Sequence, residues 1–235
     1  MDEEKFDCII VGGGVAGCAA AYILAKNNCK ILLVERGDWP GAKNVSGGVI
    51  WGPVASEIFP ELLTSEDEPP FERIINRRRL TFLSKDSSFS VDFQSQAFNE
   101  KPYNGISVLR SRFDRWLGEK VEEAIEASDF AEDSFVANGI RVDELIEKDG
   151  KICGIKAGED IFESDCVILA EGVNSLLTRS IGLQKKYVEA ELLGVGVKEV
   201  FELDRELLEK RFQLNGLFGV SNEFVGCTEG FEGGG

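Results

Sequence analysis

The hydrophobic pattern opens with Phe6–Val11 (FDCIIV), a short apolar run that ends in glycines and predicts a buried strand. Val15–Lys26 (VAGCAAAYILAK) predicts a helix with small residues on its opening turns, and Lys30–Glu35 (KILLVE) a second buried strand. Strand, helix and strand within about 30 residues make a βαβ unit and imply a parallel sheet. Residues 36–48 predict a loop bearing glycine and proline, 52–59 a short helix stopped by Pro60, and 64–72 (TSEDEPPFE) an acidic, exposed loop. Residues 76–93 alternate around "SKDSS" as a β-hairpin does. Residues 112–127 put Phe113, Trp116, Leu117, Val121, Ala124 and Ile125 on one helical face, with Ser111 three before Asp114 as a capping-box start. Residues 152–157 and 161–163 predict a small antiparallel ribbon after the "KDGK" turn. Cys166–Ala170 (CVILA) is a further buried strand, followed by "EGVNS" and a helix. The remainder reads as strand (193–202), helix (204–212) and a weak strand near 223–226.

Composition narrows the function classes. The 235 residues are 43% hydrophobic and 29% charged, values of a globular chain with one large or two modest domains. The net charge of −16 repels phosphate backbones and argues against a nucleic-acid partner. With no histidine, His-based triads, His metal sites and a His general base are excluded from this chain. None of the six cysteines makes a C-x-x-C pair, so they read as reduced thiols rather than disulfides or metal ligands. The acidic N-terminus resembles no signal or transit peptide, and no apolar run reaches about 18 residues. A reducing, cytoplasmic setting is expected, with peripheral membrane contact left open.

The chemistry begins at Gly12-x-Gly14-x-x-Gly17, directly after a strand and opening a helix. The first glycine permits the tight turn, the second lets backbone approach a pyrophosphate, and the third lets helix and strand pack closely. The helix N-terminus at Val15 and Ala16 then offers N–H groups and a partial positive charge to phosphates. Glu35 ends the second strand 21 residues after Gly14, where a carboxylate hydrogen-bonds a ribose hydroxyl. Arg36 beside it either stacks on an adenine or makes no contact.

FAD and NAD share this fingerprint, and three features favour FAD. The segment "ERGDWPGAKNVSGG" is long for a connection after a second Rossmann strand and is able to run along a long flavin nucleotide. Arg110 precedes a helix, placed to meet a phosphate or ribityl oxygen; Arg110, Arg112 and Arg115 read equally as snorkelling arginines on a helix face. Finally, "CVILAEGVNS" ends a buried strand in a turn at Ala170, Glu171 and Gly172, returning the chain to the nucleotide edge of the sheet.

Together "FDCIIVGGGVAGCAAA", "VERGDWPGAKNVSGG", "VLRSRFDRWL", "ILAEGVNSLL" and "GVGVKEVFEL" resemble the FixC-type flavoproteins. These are relatives of the electron-transfer-flavoprotein:quinone oxidoreductases and, more distantly, of the geranylgeranyl reductases. The similarity spans essentially the whole chain, and "GAKNVSGG" and "GVGVKE" are its more specific parts. The resemblance implies FAD in a glutathione-reductase-like, Rossmann-type α/β fold with a parallel central sheet, plus part of an antiparallel-sheet substrate domain. It implies electron transfer between an electron-transfer flavoprotein and a quinone or ferredoxin-type acceptor. By position, Gly12, Gly14 and Gly17 hold the pyrophosphate and Glu35 the adenosine ribose. Ser46, Gly47 and Gly48 lie on the flavin side, and Arg110 meets the FAD. Val142, in the strand "GIRVDELI", contacts adenine through its backbone, and Glu171-Gly172 replaces the usual Asp-Gly turn.

The implied division is residues 1–75 and 103–185 for the FAD-binding domain, and 76–102 and 186–235 for part of the substrate domain. Relatives run on past "EGFEGGG", so the chain is expected to be the N-terminal portion of a longer protein, without the later Gly-Asp motif or an iron–sulfur domain. Two rivals stand beside the electron-transfer reading: a prenyl-lipid reductase on the same fold, and a non-catalytic FAD-binding fragment. No motif supplies a general base, which suits electron transfer. The catalytic residues are not identified from the sequence.

Overall fold

The computed structural model describes residues 5–63, 70–185, 188–228 and 231–234. In chain order it forms β1 (Phe6–Val11), α1 (Val15–Lys26), β2 (Ile31–Val34), β3 (Gly47–Trp51), α2 (Val54–Ile58), β4 (Arg73–Leu83), β5 (Ser88–Gln94) and β6 (Gly105–Leu109). There follow α3 (Arg110–Glu126), β7 (Phe135–Ala137), β8 (Glu144–Lys148), β9 (Lys151–Ala157), β10 (Asp160–Leu169), α4 (Leu176–Ser180), α5 (Arg205–Phe212), β11 (Phe218–Thr228) and β12 (Phe231–Gly234).

The chain divides into two compact units, Met1–Val45 with Arg110–Val197, and Ser46–Leu109 with Lys198–Gly235. The first holds a six-stranded sheet in the order β7-β2-β1-β10-β9-β8. Its β7, β2, β1 and β10 run parallel, as the βαβ pattern predicts, while β9 and β8 continue antiparallel. All of β2 is buried, as is β1 apart from Asp7. One face is covered by α1, which also packs on α3, where Phe113, Leu117 and Val121 of the expected apolar stripe are buried. On the other face Phe6, Ile9, Val11, Leu32 and Val34 pack with Ile155, Leu145 and Phe162. Burial on both faces is why these strands read as continuous apolar runs.

The second unit holds a sheet in the order β12-β11-β4-β6-β3, with β5 also paired to β4. The expected hairpin is present as β4 and β5, with Phe82 opposite Phe89 and Arg78 opposite Phe93. The sheet is mixed rather than purely antiparallel, because β11 lies parallel to β4. The α/β, Rossmann-type fold class stands.

Several details differ from the sequence reading. The ribbon strand at 161–163 and the strand at 166–170 are one element, β10. Its first half pairs antiparallel with β9 and its second half parallel with β1, so one strand serves two ladders. No strand forms over 193–202, where Val195 and Val197 are 90% and 85% exposed; a period-two pattern without a neighbouring ladder does not become a strand. β3 and β6 were hidden in stretches read as loop or left unread; they pair with each other, and β6 joins the start of β4. For that reason residues 46–63, 70–75 and 103–109 cluster with the second unit instead of the nucleotide unit, while 188–197, expected in the substrate domain, cluster with the first. The acidic loop at 64–72 lies mostly outside the described residues; of its described members Glu72 is exposed as expected, whereas Pro70 and Phe71 are buried. Residues 1–4, 229, 230 and 235, which include parts of the acidic N-terminus and of "EGFEGGG", also lie outside them.

Candidate functional site: a glycine-walled cleft at the strand ends

The site forms where β1 and β10 end side by side. Gly12 N–H donates to the Val34 carbonyl at 2.8 Å, and Ala170 N–H donates to the Val11 carbonyl at 2.8 Å. Gly12 has φ +109°, and a Cβ there would stand 2.4 Å from the Ala170 carbonyl oxygen. A Cβ on Gly17 would stand 1.8 Å from the Gly12 carbonyl oxygen, so α1 and the turn touch through bare backbone. Gly14 is different. The nearest atom to a Cβ there is Arg110 Nη2, 4.0 Å away. Gly14 is the N-cap of α1 and supplies no side-chain acceptor, and the first turn carries no acidic residue. The partial positive charge of this helix end is therefore unopposed by its own sequence.

Glu35 ties two turns together. Its Oε2 accepts from Gly13 N–H at 2.7 Å and its Oε1 from Gly37 N–H at 2.6 Å. Each oxygen keeps acceptor capacity for a ligand hydroxyl. The Glu35 carbonyl accepts from Ile140 N–H at 3.0 Å, and the Gly37 carbonyl from Gly139 N–H at 2.8 Å. This staple carries Val142 to the cleft. Val142 lies in the irregular stretch before β8 and not inside a strand as expected.

The cleft has a volume of about 320 Å³. Gly12, Gly14, Glu35, Arg36, Arg110, Val142, Ala170, Glu171 and Gly172 line it together. Val15, Ala16 and Gly17 form the adjoining first turn of α1 without lining it; Gly47 and Gly48 open β3 in the other unit, and Ser46 directly precedes it. Sequence reasoning missed Gly41, Lys43, Asn44 and Arg141, which also line the cleft. Arg36 and Lys43 have no ion-pair partner among the described residues, whereas Arg141 is paired with Asp143 at 2.6 Å.

Glu171 has a definite structural task. Burial raises its pKa, but the N–H groups of Leu177 and Thr178 and the Thr178 hydroxyl outweigh that and hold the carboxyl below its usual range. The carboxylate therefore caps α4. Cys18, fully buried under the glycine turn, donates to the Gly13 carbonyl at 3.3 Å; burial, with Asp114 and Glu35 nearby, pushes its thiol up to about 12. It stays a neutral packing group. Cys8, Cys18, Cys29, Cys153 and Cys166 are free thiols.

α3 begins at Arg110, two residues before the expected start. Ser111 is thus inside the helix rather than its cap. Asp114 turns instead to Arg110, whose Nε and Nη2 donate to its two oxygens at 2.7 and 2.8 Å. The R-x-x-x-D spacing, i and i+4 on a helix, was the available signal for this pair.

A long dianionic dinucleotide fits these residues: backbone clear of side chains at Gly14, an unopposed helix N-terminus, free cations at the rim and a carboxylate at the end of β2. Such a cleft at the carboxyl ends of parallel strands defines a Rossmann-type nucleotide-binding protein.

The particular class follows from similarity. Residues 7–127 match the family model "FAD dependent oxidoreductase", and the chain belongs to that family, whose cofactor is FAD. Over its full length the chain is 42% identical to Protein FixC of Salmonella typhi, covering 52% of that protein. It is 38% identical, with the same coverage, to the probable electron transfer flavoprotein-quinone oxidoreductase YdiS of Escherichia coli strain K12. The chain thus spans about half the length of the curated relatives it matches. Among solved structures, a geranylgeranyl bacteriochlorophyll reductase-like protein from Thermoplasma acidophilum shares the fold. Its TM-score is 0.64 at 22% identity, over 80% of this chain and 44% of that one.

Proposed function

We propose that this chain is the FAD-gripping part of an oxidoreductase that passes electrons between an electron-transfer flavoprotein and a quinone or ferredoxin-type acceptor. The observation that carries the reading is the cleft in which Gly14 backbone, the α1 N-terminus, Glu35 and Arg110 converge. In it the Gly12–Gly17 turn, with the N–H groups of Val15 and Ala16, receives the pyrophosphate. Glu35 accepts from the adenosine ribose, Arg36 and the Val142 backbone flank the adenine, and Ala170, Glu171 and Gly172 close the strand-end side.

FAD, when bound, supplies the redox chemistry; the chain binds it, orients it and sets the charge and polarity around it. The similarity to a probable electron transfer flavoprotein-quinone oxidoreductase supports an electron-transfer flavoprotein as partner and a quinone as acceptor. Among the described residues no helix is long and apolar enough to cross a membrane. A cytoplasmic protein with peripheral membrane contact suits a lipid-soluble acceptor, and the exposed Phe89 and Phe93 on β5 suit such contact.

Titrating the flavin-free chain with FAD while following flavin fluorescence tests the binding step, with quenching at stoichiometric FAD as the expected result. Adding reduced electron-transfer flavoprotein without oxygen should then bleach the bound flavin, and a quinone should restore its colour. A chain that takes up no FAD, or a flavin bleached by NADH but not by the electron-transfer flavoprotein, would sink the proposal.

A further inference from the structure

We infer that Asp114 is a positioning residue of the cleft: a buried carboxylate that aims Arg110 at the phosphates and pins the 37–45 loop along the nucleotide. The inference rests on the FAD reading above and extends it to a residue that lines no part of the cleft.

Asp114 is 0% exposed, one turn into α3. A carboxylate withdrawn this far from water persists only where donors replace its hydration. Three donors do so. Arg110 contributes Nε and Nη2 in a two-pronged pair, and Asn44 Nδ2 donates to Oδ2. The Arg110 side chain is 31% exposed and lines the cleft, and Nη2 is the atom nearest to the open space over Gly14. No acceptor for Nη1 is present among the described residues, so the fork has one end fixed and one end to spare. An arginine held by two bonds at a set position loses less freedom on meeting a phosphate than one that is free to rotate.

The same carboxylate holds the loop. Gly41, at φ +88°, lies so close that a Cβ there would stand 2.5 Å from Asp114 Cβ. One turn further along α3, a Cβ on Gly118 would stand 2.6 Å from Pro40 Cγ. The loop thus lies on the Asp114–Gly118 stripe of α3, with Asn44 as its polar anchor. Gly41, Lys43 and Asn44 line the cleft, so the pin that sets Arg110 also sets this wall. Asp114 acts through Arg110 and Asn44 and touches no ligand itself.

The test is FAD affinity, read by flavin fluorescence, in the flavin-free chain and in Arg110→Ala, Asp114→Asn, Arg110→Ala/Asp114→Asn and Arg110→Lys. Loss of one charge-assisted phosphate contact should weaken binding by about tenfold or more in Arg110→Ala. Asp114→Asn should weaken it by about tenfold in the wild-type background and by about threefold or less once Arg110 is gone, because most of its effect passes through that side chain. Arg110→Lys alters an accessible residue and tests the idea even if the buried substitution prevents folding. A lysine keeps the charge but not the fork, and should bind FAD within about threefold of Arg110→Ala. Raising the salt concentration should weaken binding less steeply in Arg110→Ala than in Asp114→Asn, since only the former removes a cation.

A chain in which Arg110→Lys matches wild type, or in which Asp114→Asn costs the same factor with and without Arg110, would overturn the positioning role while leaving the FAD reading intact. Absence of FAD binding by the unsubstituted chain would overturn both.

Discussion

Two strands, one from each sheet, meet water in opposite ways. Every residue of β2 is buried, whereas every residue of β5 is exposed. β2 lies between two parallel neighbours with packing on both faces, so its order rests on apolar burial and close backbone contact. Among the described residues β5 is paired only to β4, and its order rests on side-chain pairs across one ladder: Phe82 on Phe89 at 6.2 Å, Thr81 with Ser90, and Asp92 with Arg77 and Arg79. Where backbone touches backbone, one added carbon has nowhere to go. Where side chains pair in water, each loss is small and screened.

The largest expected effect breaks that contrast at its sharpest point. Gly17→Ala forces a methyl group to within 1.8 Å of the Gly12 carbonyl, an atom of the turn itself. Such overpacking should cost about 3 kcal/mol or more in urea unfolding and remove FAD binding. An alanine variant with normal stability and normal FAD uptake would show that the turn is not set by clearance.

A smaller effect is expected at Glu171, where the first unit uses a side chain. Glu171→Gln weakens the cap of α4 and should cost about 1 kcal/mol at neutral pH, a figure set by capping in partly exposed surroundings. The folded carboxyl lies below its usual value of 4.5, so its contribution is complete above that pH and is lost as pH falls through the folded value. Comparing the acid limbs of wild type and variant checks this: the wild type should lose its advantage only below about pH 4.5. An advantage that grows on acidification would contradict the assignment.

The smallest effect belongs to the second unit. Arg77, then Arg79, hold Asp92 at about 2, below its usual 3.8. The contribution is again full above the higher value and fades toward the lower one. Because the group is largely solvent-facing, Asp92→Asn should cost only about 0.5 kcal/mol, and less in high salt. A loss as large as that of Gly17→Ala would mean that the hairpin is as tightly constrained as the cleft, and the comparison would fail.

Much of the first unit was legible in the chain. β1 and α1 fall on the residues that pattern assigned, because a doubly buried parallel strand must be apolar throughout and a glycine turn must precede the helix. Glu35 was legible from its place at the end of β2. Asp114 was visible but misread. Its spacing suits a capping box with Ser111 and an i, i+4 pair with Arg110 equally well, and the choice depended on where α3 begins. The second unit was harder. β3 and β6 are strands chiefly because they pair with each other, and residues 193–202 carry a strand pattern but have no ladder to join.

By itself, then, the sequence determined the parallel core, the glycine turn, the carboxylate after β2 and the family to which these belong, because each is fixed by local pattern and backbone freedom. Only the tertiary structure decided that β10 is one strand with two kinds of neighbour, that Glu171 caps α4, and that Asp114 holds Arg110 and the 37–45 loop. Those outcomes depend on partners far away in sequence or on the point where a helix starts, and a hydrogen bond or a buried charge is assigned only once its partner is in place.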